Sequence, residues 1–153
     1  MSTTRGSLYI PLIAAWAGRT IVVMVARSPK SGPVRVLLVD DQPYFLSAAR
    51  DVFASMSDFE VVGETDSGEG AVDAVDQLHP DLVLLDIRMP GIGGIESARR
   101  INASHPRTVV VLISIEDHSD VSEQALHCGA AAMLRKQDFG PAAVRRLWAE
   151  HGI

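Results

Sequence analysis

A single cysteine, Cys128, excludes any internal disulfide, and it makes no metal-ligand spacing with its neighbour His127. A small apolar side chain near a helix end accounts for it. Residues 1–33 contain no acid at all. They hold Arg5, Arg19, Arg27 and Lys30, a charge of +4, so the chain's net −5 places −9 on residues 34–153. A segment that negative repels a phosphate backbone, because nucleic-acid affinity comes largely from neutralising phosphates. Direct nucleic-acid binding is therefore not expected. No apolar run reaches the roughly 18 residues of a membrane span: Leu8–Gly18 stops at Arg19, and Ile21–Ala26 is shorter. No internal repeat or low-complexity tract is present, which argues against a solenoid or a disordered chain.

What is present suits one globular domain with some excess. At 153 residues and 47% hydrophobic the chain has enough apolar side chain for a sizeable core. Residues 1–33 read as a poorly ordered extension, with Ser28–Pro33 as a linker. Two alternatives stay open: a signal peptide, from Arg5 and the small residues around Trp16, and a true start at Met24.

From Val34 the pattern turns regular. Short apolar runs at 34–39, 59–63, 82–85, 109–113 and 131–134 have the length and branching of buried parallel strands. Between and after them, residues 43–55, 67–78, 94–103, 121–127 and 141–150 show helical spacing, with Ser67 as a cap and Pro141 in a first turn. Five strands alternating with five helices predict an α/β fold, a parallel sheet covered on both faces. The alternation does not give the strand order.

Ligands of such sheets bind beyond the carboxyl ends of the strands. The residues standing there are informative: Asp40 and Asp41 after the first run, Asp86 after the third, Ser114 after the fourth and Lys136 shortly after the fifth. If the first and third strands are neighbours, three carboxylates converge, and like charges that close need a counter-charge or shifted pKa values. Mg²⁺ fits that need, since it takes one or two carboxylates and leaves positions for phosphate oxygens. One carboxylate is then a candidate nucleophile, with the serine hydroxyl and lysine ammonium as stabilisers of a phosphoryl group. Lysine is long enough to reach across a strand spacing of about 4.8 Å.

The stretches VRVLLVDDQP (34–43), PDLVLLDIRMPGIGG (80–94), VVVLIS (109–114) and GAAAMLRK (129–136) carry these residues in order. Over 34–149 the chain resembles the receiver domain of bacterial two-component response regulators, and in detail those that precede a helix-turn-helix output domain. The resemblance implies a flavodoxin-like doubly wound sheet of order 2-1-3-4-5 in residues 34–153. It implies that Asp86 accepts a phosphoryl group from a sensor histidine kinase or phosphotransfer protein. Asp40, Asp41, Asp86 and the backbone carbonyl of Arg88 would hold Mg²⁺. Ser114 and Lys136 would bind the phosphoryl group, and Ser114 and Met133 would act in the switch. Signalling would run through the fourth helix, fifth strand and fifth helix to a protein partner the sequence does not name, with a homodimer as one outcome. The expected location is cytoplasmic, and the expected chemistry is self-phosphorylation and slow autodephosphorylation without turnover.

Two departures bear on this reading. Met133 stands where the family most often has an aromatic, and Ile115 is bulkier than the residue usual after the hydroxyl. The glycines at 91, 93 and 94 are expected to serve the turn after Pro90. Three other readings stay open: a phosphorylation-independent interaction module, a fragment of a DNA-binding response regulator, and a phosphohydrolase with an aspartate nucleophile. The last wants an acid two residues after Asp40, where Gln42 stands.

Overall fold

A computed structural model describes residues 8–16, 18–27, 31–115 and 123–152. The chain divides into two compact units, Met1–Ser31 and Gly32–Ile153. In the first, β1 (Leu8–Trp16) and β2 (Arg19–Arg27) pair antiparallel from Leu8–Arg27 to Trp16–Arg19. The hairpin closes beside Gly18, whose φ of +76° belongs to the left-handed region that glycine enters freely. The extension expected to lack order is thus strand-paired over its described residues. The sequence argument weighed its apolar runs as spans or leaders, and Gly18 as a turn between them was the overlooked signal.

The second unit holds β3 (Val34–Val39), α1 (Pro43–Ala54), β4 (Phe59–Thr65), α2 (Gly68–Leu78), β5 (Leu82–Asp86) and α3 (Gly93–Ser104). It continues with β6 (Val109–Ser114), α4 (Glu123–Leu126), β7 (Ala132–Arg135), a 3₁₀ turn (Lys136–Asp138) and α5 (Pro141–His151). All four strand pairings are parallel, in the order β4-β3-β5-β6-β7. Numbered within this unit, that is the expected 2-1-3-4-5. Four helices are of full length. The expected fourth helix, 121–127, lies partly outside the described residues and is otherwise a single turn.

Alternation along the strands builds two cores. Val36, Leu38, Leu82, Leu84, Val111 and Ile113 face α1 and α5, meeting Phe45, Phe53 and Leu147. Phe53 stacks in tilted fashion on Phe59 and Phe139, with ring centroids 5.8 and 6.0 Å apart, a geometry that adds to simple burial. Leu37, Val39, Val83, Leu85, Val110 and Leu112 face the other way, onto Ala71 and Val75 of α2 and Ala98 and Ile101 of α3. Cys128 is buried in this second core, its thiol directed at the Ala125 carbonyl 3.2 Å away, the apolar role expected of it.

Helix ends follow local chemistry. The Ser67 hydroxyl accepts from Gly70 N–H at 3.0 Å, capping α2 as its sequence predicts. Pro43 and Pro141 open α1 and α5, where a missing N–H costs nothing.

Candidate phosphoryl-transfer site

The order of the strands decides what meets. β5 lies between β3 and β6, so the carboxyl ends of β3 and β5 are adjacent. Val39 and Leu85 both face the α2–α3 core, and the next residue on each chain turns its carboxylate the other way. Asp40 is 1% exposed and Asp86 7%, whereas Asp41 is exposed. One carboxylate oxygen from each of the three lies within 4.8 Å of the others.

Lys136 opens the 3₁₀ turn after β7 and reaches back over β6. Its Nζ stands 2.6 Å from Asp40 Oδ2 and 3.6 Å from Asp86 Oδ2. The ammonium also rests 4.7 Å from the centre of the Phe45 ring, a cation–π contact from the first turn of α1. Arg135, inside β7, points elsewhere: its Nε donates to Asp138 Oδ2 at 2.8 Å. Adjacent in the chain, the two cations are sent to different places by the alternation of the strand.

The electrostatics are crowded. The Asp86 carboxyl is pushed up from 3.8 to about 6, first by burial and next by the neighbouring Asp40 charge, while Lys136 and the Arg88 N–H pull the other way. That N–H lies 3.4 Å from Asp86 Oδ1. Asp40 Oδ1 accepts from Gln42 N–H at 2.8 Å. Asp40 Oδ2 is buried with no hydrogen-bond donor aligned on it; its contact with Lys136 is one of charge. An under-satisfied buried oxygen beside two more carboxylates is a donor set that suits a hard divalent cation.

Ser114 ends β6 and is 7% exposed, one residue past Ile113, the partner of Asp86 across the ladder. Ile115 behind it is 71% exposed. Met133 pairs with Leu112 inside the sheet and packs, half-buried, against the α2–α3 core.

Three contributors were not singled out from the sequence. Phe45 read only as one apolar position of a helix. Gly94 read as a turn glycine, yet it marks a close approach: a Cβ there would fall 2.1 Å from the Asp86 carbonyl oxygen. Gly91 and Gly93, at φ +82° and +75°, are the turn glycines expected. Glu69 falls inside the helix predicted over 67–78, yet its Oε1 accepts from Ile92 N–H at 3.0 Å, in the loop between β5 and α3.

The profile of the response regulator receiver domain matches residues 36–146. The response regulator GacA of Pseudomonas viridiflava is 37% identical over 103 residues, 67% of this chain and 48% of that protein. The nitrate/nitrite response regulator NarL of Escherichia coli K12 is 33% identical over 104 residues, 68% of this chain and 48% of its own length. The chain thus spans about half the length of the curated relatives it matches. Among solved structures, the signal receiver domain of the putative response regulator NarL from Mycobacterium tuberculosis superposes with a TM-score of 0.68 at 33% identity, covering 76% of this chain and 98% of that one. A chain of the CheX–CheY–BeF3–Mg complex of Borrelia burgdorferi gives 0.69 at 26% identity, over 78% and 89%. Such domains work with histidine kinases or phosphotransfer proteins, typically hold Mg²⁺ in an acidic pocket, and are in general not turnover enzymes. No helix among the described residues is long and apolar enough to cross a membrane. The chain belongs to the response regulator receiver domain family.

Proposed function

We propose that this protein accepts a phosphoryl group on Asp86 from a histidine kinase or phosphotransfer protein and passes the signal on by protein contact. The observation that carries the reading is Lys136 Nζ held between Asp40 and Asp86 within a cluster of three carboxylates. A lysine beside two buried acids, with a third acid at the rim, is costly for stability alone and suited to binding a phosphoryl group.

Asp86 is the nucleophile. One of its carboxylate oxygens forms the new P–O bond as the donor's P–N bond breaks, and the departing imidazole keeps the electron pair. The raised Asp86 pKa marks a carboxylate whose charge is poorly solvated and therefore ready to be shared. Lys136 meets one phosphoryl oxygen and Ser114 another, which stabilises charge as it spreads over the transferred group. Asp40, Asp41, Asp86 and the Arg88 carbonyl would hold Mg²⁺; bound there, the ion supplies charge neutralisation and a site for phosphate oxygens. The solved complex of the Borrelia CheY with BeF3 and Mg supports this for a relative.

Phosphorylation shifts a two-state equilibrium through contacts that Ser114 and Lys136 make differently in the two states. Met133, in the sheet behind Ser114, is the element that repacks, and α4, β7 and α5 form the face that reads it. That face pairs two copies or meets a downstream protein. We place the protein in the cytoplasm, where an ATP-fed kinase operates, and assign it self-phosphorylation and slow autodephosphorylation. We take residues 34–153 as the receiver unit and assign no nucleic-acid contact to it, given its charge.

Incubation with Mg²⁺ and acetyl phosphate tests the reading. A mass gain of one phosphoryl group that vanishes in Asp86→Ala is expected. A wild-type chain that takes no label overturns it and leaves the phosphorylation-independent module.

A further inference from the structure

The loop after β5, residues 87–92, is anchored from an unexpected side. Ile87 is tied into the sheet, its N–H donating to Ile113 and its carbonyl accepting from Gly94, each at 3.0 Å. Farther along, Ile92 N–H donates to Glu69 Oε1 at 3.0 Å. Glu69 is the second residue of α2, where the helix dipole favours a carboxylate. Arg88, whose carbonyl is expected at the metal, lies between those two anchors in the chain.

The fit around Glu69 is close on several counts. A Cβ on Gly91 would fall 2.2 Å from Glu69 Oε2, at a backbone φ of +82°. A Cβ on Gly68 would fall 2.5 Å from Ser97 Oγ, 2.7 Å from Ile92 Cγ1 and 2.9 Å from the Gly93 carbonyl oxygen. Ser97, fully buried, in turn donates to the Gly93 carbonyl at 2.6 Å. The N-terminus of α2 is therefore seated directly on the loop and the first turn of α3, and it holds them with a charged acceptor. A charge-assisted bond to a backbone N–H is about twice as strong as a neutral one. Packing alone requires no carboxylate at this position, and position 69 is otherwise exposed.

We propose that Glu69 is a positioning residue of the phosphoryl-transfer site: by holding Ile92 N–H it fixes the loop that presents Arg88 to the metal, and so sets Mg²⁺ affinity from a helix that contributes no ligand. This rests on the function proposed above. Supporting groups of this kind alter metal affinity by 10–100-fold when removed; with one bond and an intervening loop, about tenfold is the expected size. Glutamine keeps an oxygen that accepts from Ile92, so Glu69→Gln should restore most of what Glu69→Ala loses.

The test is calorimetric titration of the full chain with Mg²⁺, well below the melting temperature, for wild type, Glu69→Ala, Glu69→Gln and Asp86→Ala. Weakening of about tenfold in Glu69→Ala, with Glu69→Gln within about twofold of wild type, supports the proposal. Equal affinity in Glu69→Ala and wild type overturns it, as does equal loss in the alanine and glutamine variants. Should Glu69→Ala not fold, Glu69→Leu takes its place, because leucine keeps the side-chain bulk but cannot accept from Ile92 N–H: unchanged Mg²⁺ affinity there overturns the proposal and a similar loss supports it. A wild-type chain that binds no Mg²⁺ sinks the functional reading itself. Binding that is intact and merely indifferent to Glu69 sinks this inference alone.

Discussion

Two aspartates bracket β5, and they lead different lives. Asp81 stands just before the strand, where its Oδ2 accepts from Arg35 N–H at 2.8 Å while its own N–H donates to the Arg35 carbonyl and its carbonyl accepts from Val109 N–H. It stitches three neighbouring strands together at the sheet's amino end. Asp86 ends the strand, its closest donors being a long contact from Arg88 and the shared charge of Lys136, and two more carboxylates face it. The residue type is the same and four residues of apolar strand separate them. What differs is the balance of donors and acids around each carboxylate. An acid with donors is part of the scaffold; an acid among acids is the candidate nucleophile.

That contrast is breakable by mutation. Asp86→Ala should abolish phosphoryl labelling outright, read as the missing mass gain with acetyl phosphate and Mg²⁺, without lowering the melting temperature. A labelled Asp86→Ala chain would assign the nucleophile elsewhere. Lys136→Met should slow labelling by about 100-fold, the scale of losing one transition-state donor. It should also destabilise the metal-free chain by about 3 kcal/mol, because Asp40 is left buried without its counter-charge; urea denaturation with and without Mg²⁺ would show it.

Asp81→Ala should do the reverse of Asp86→Ala. Loss of its acceptor leaves Arg35 N–H unmatched and costs about 2 kcal/mol, while labelling per folded molecule stays at the wild-type level. Reduced labelling would show that the two ends of β5 are coupled.

The smallest effect is electrostatic. A carboxyl whose pKa is higher folded than unfolded holds its proton more tightly in the native state. The destabilisation from its charge is therefore absent below pH 4 and grows as pH rises through about 6. A rise from 3.8 to about 6 corresponds to about 3 kcal/mol, which solvent screening reduces to about 1–2. Asp86→Asn should accordingly stabilise the metal-free protein by about that much at pH 8 and by little at pH 4. Melts across that range check it, and an advantage that persists at pH 4 would remove charge as its cause.

The three central strands were legible because they are buried on both faces, so each reads as a run such as Leu82–Leu85 rather than as an alternation. The acids, serine and lysine were legible because parallel strands all deliver their C-terminal neighbours to one rim. Phe45 and Glu69 were not, since each looks like an ordinary helix residue until the neighbouring element is in place. The hairpin escaped because short apolar runs fit several local structures, and only pairing selects among them.

By itself the sequence determined the alternation of strand and helix, the two-sided burial of the sheet and which residue types stand at the candidate site, all of which depend on residue type and short-range spacing. Only the tertiary structure decided which strands are neighbours and how near the charges come. It also decided that an acid on α2 steadies the loop after β5. Those distances come from packing between elements far apart in the chain, which no local pattern encodes.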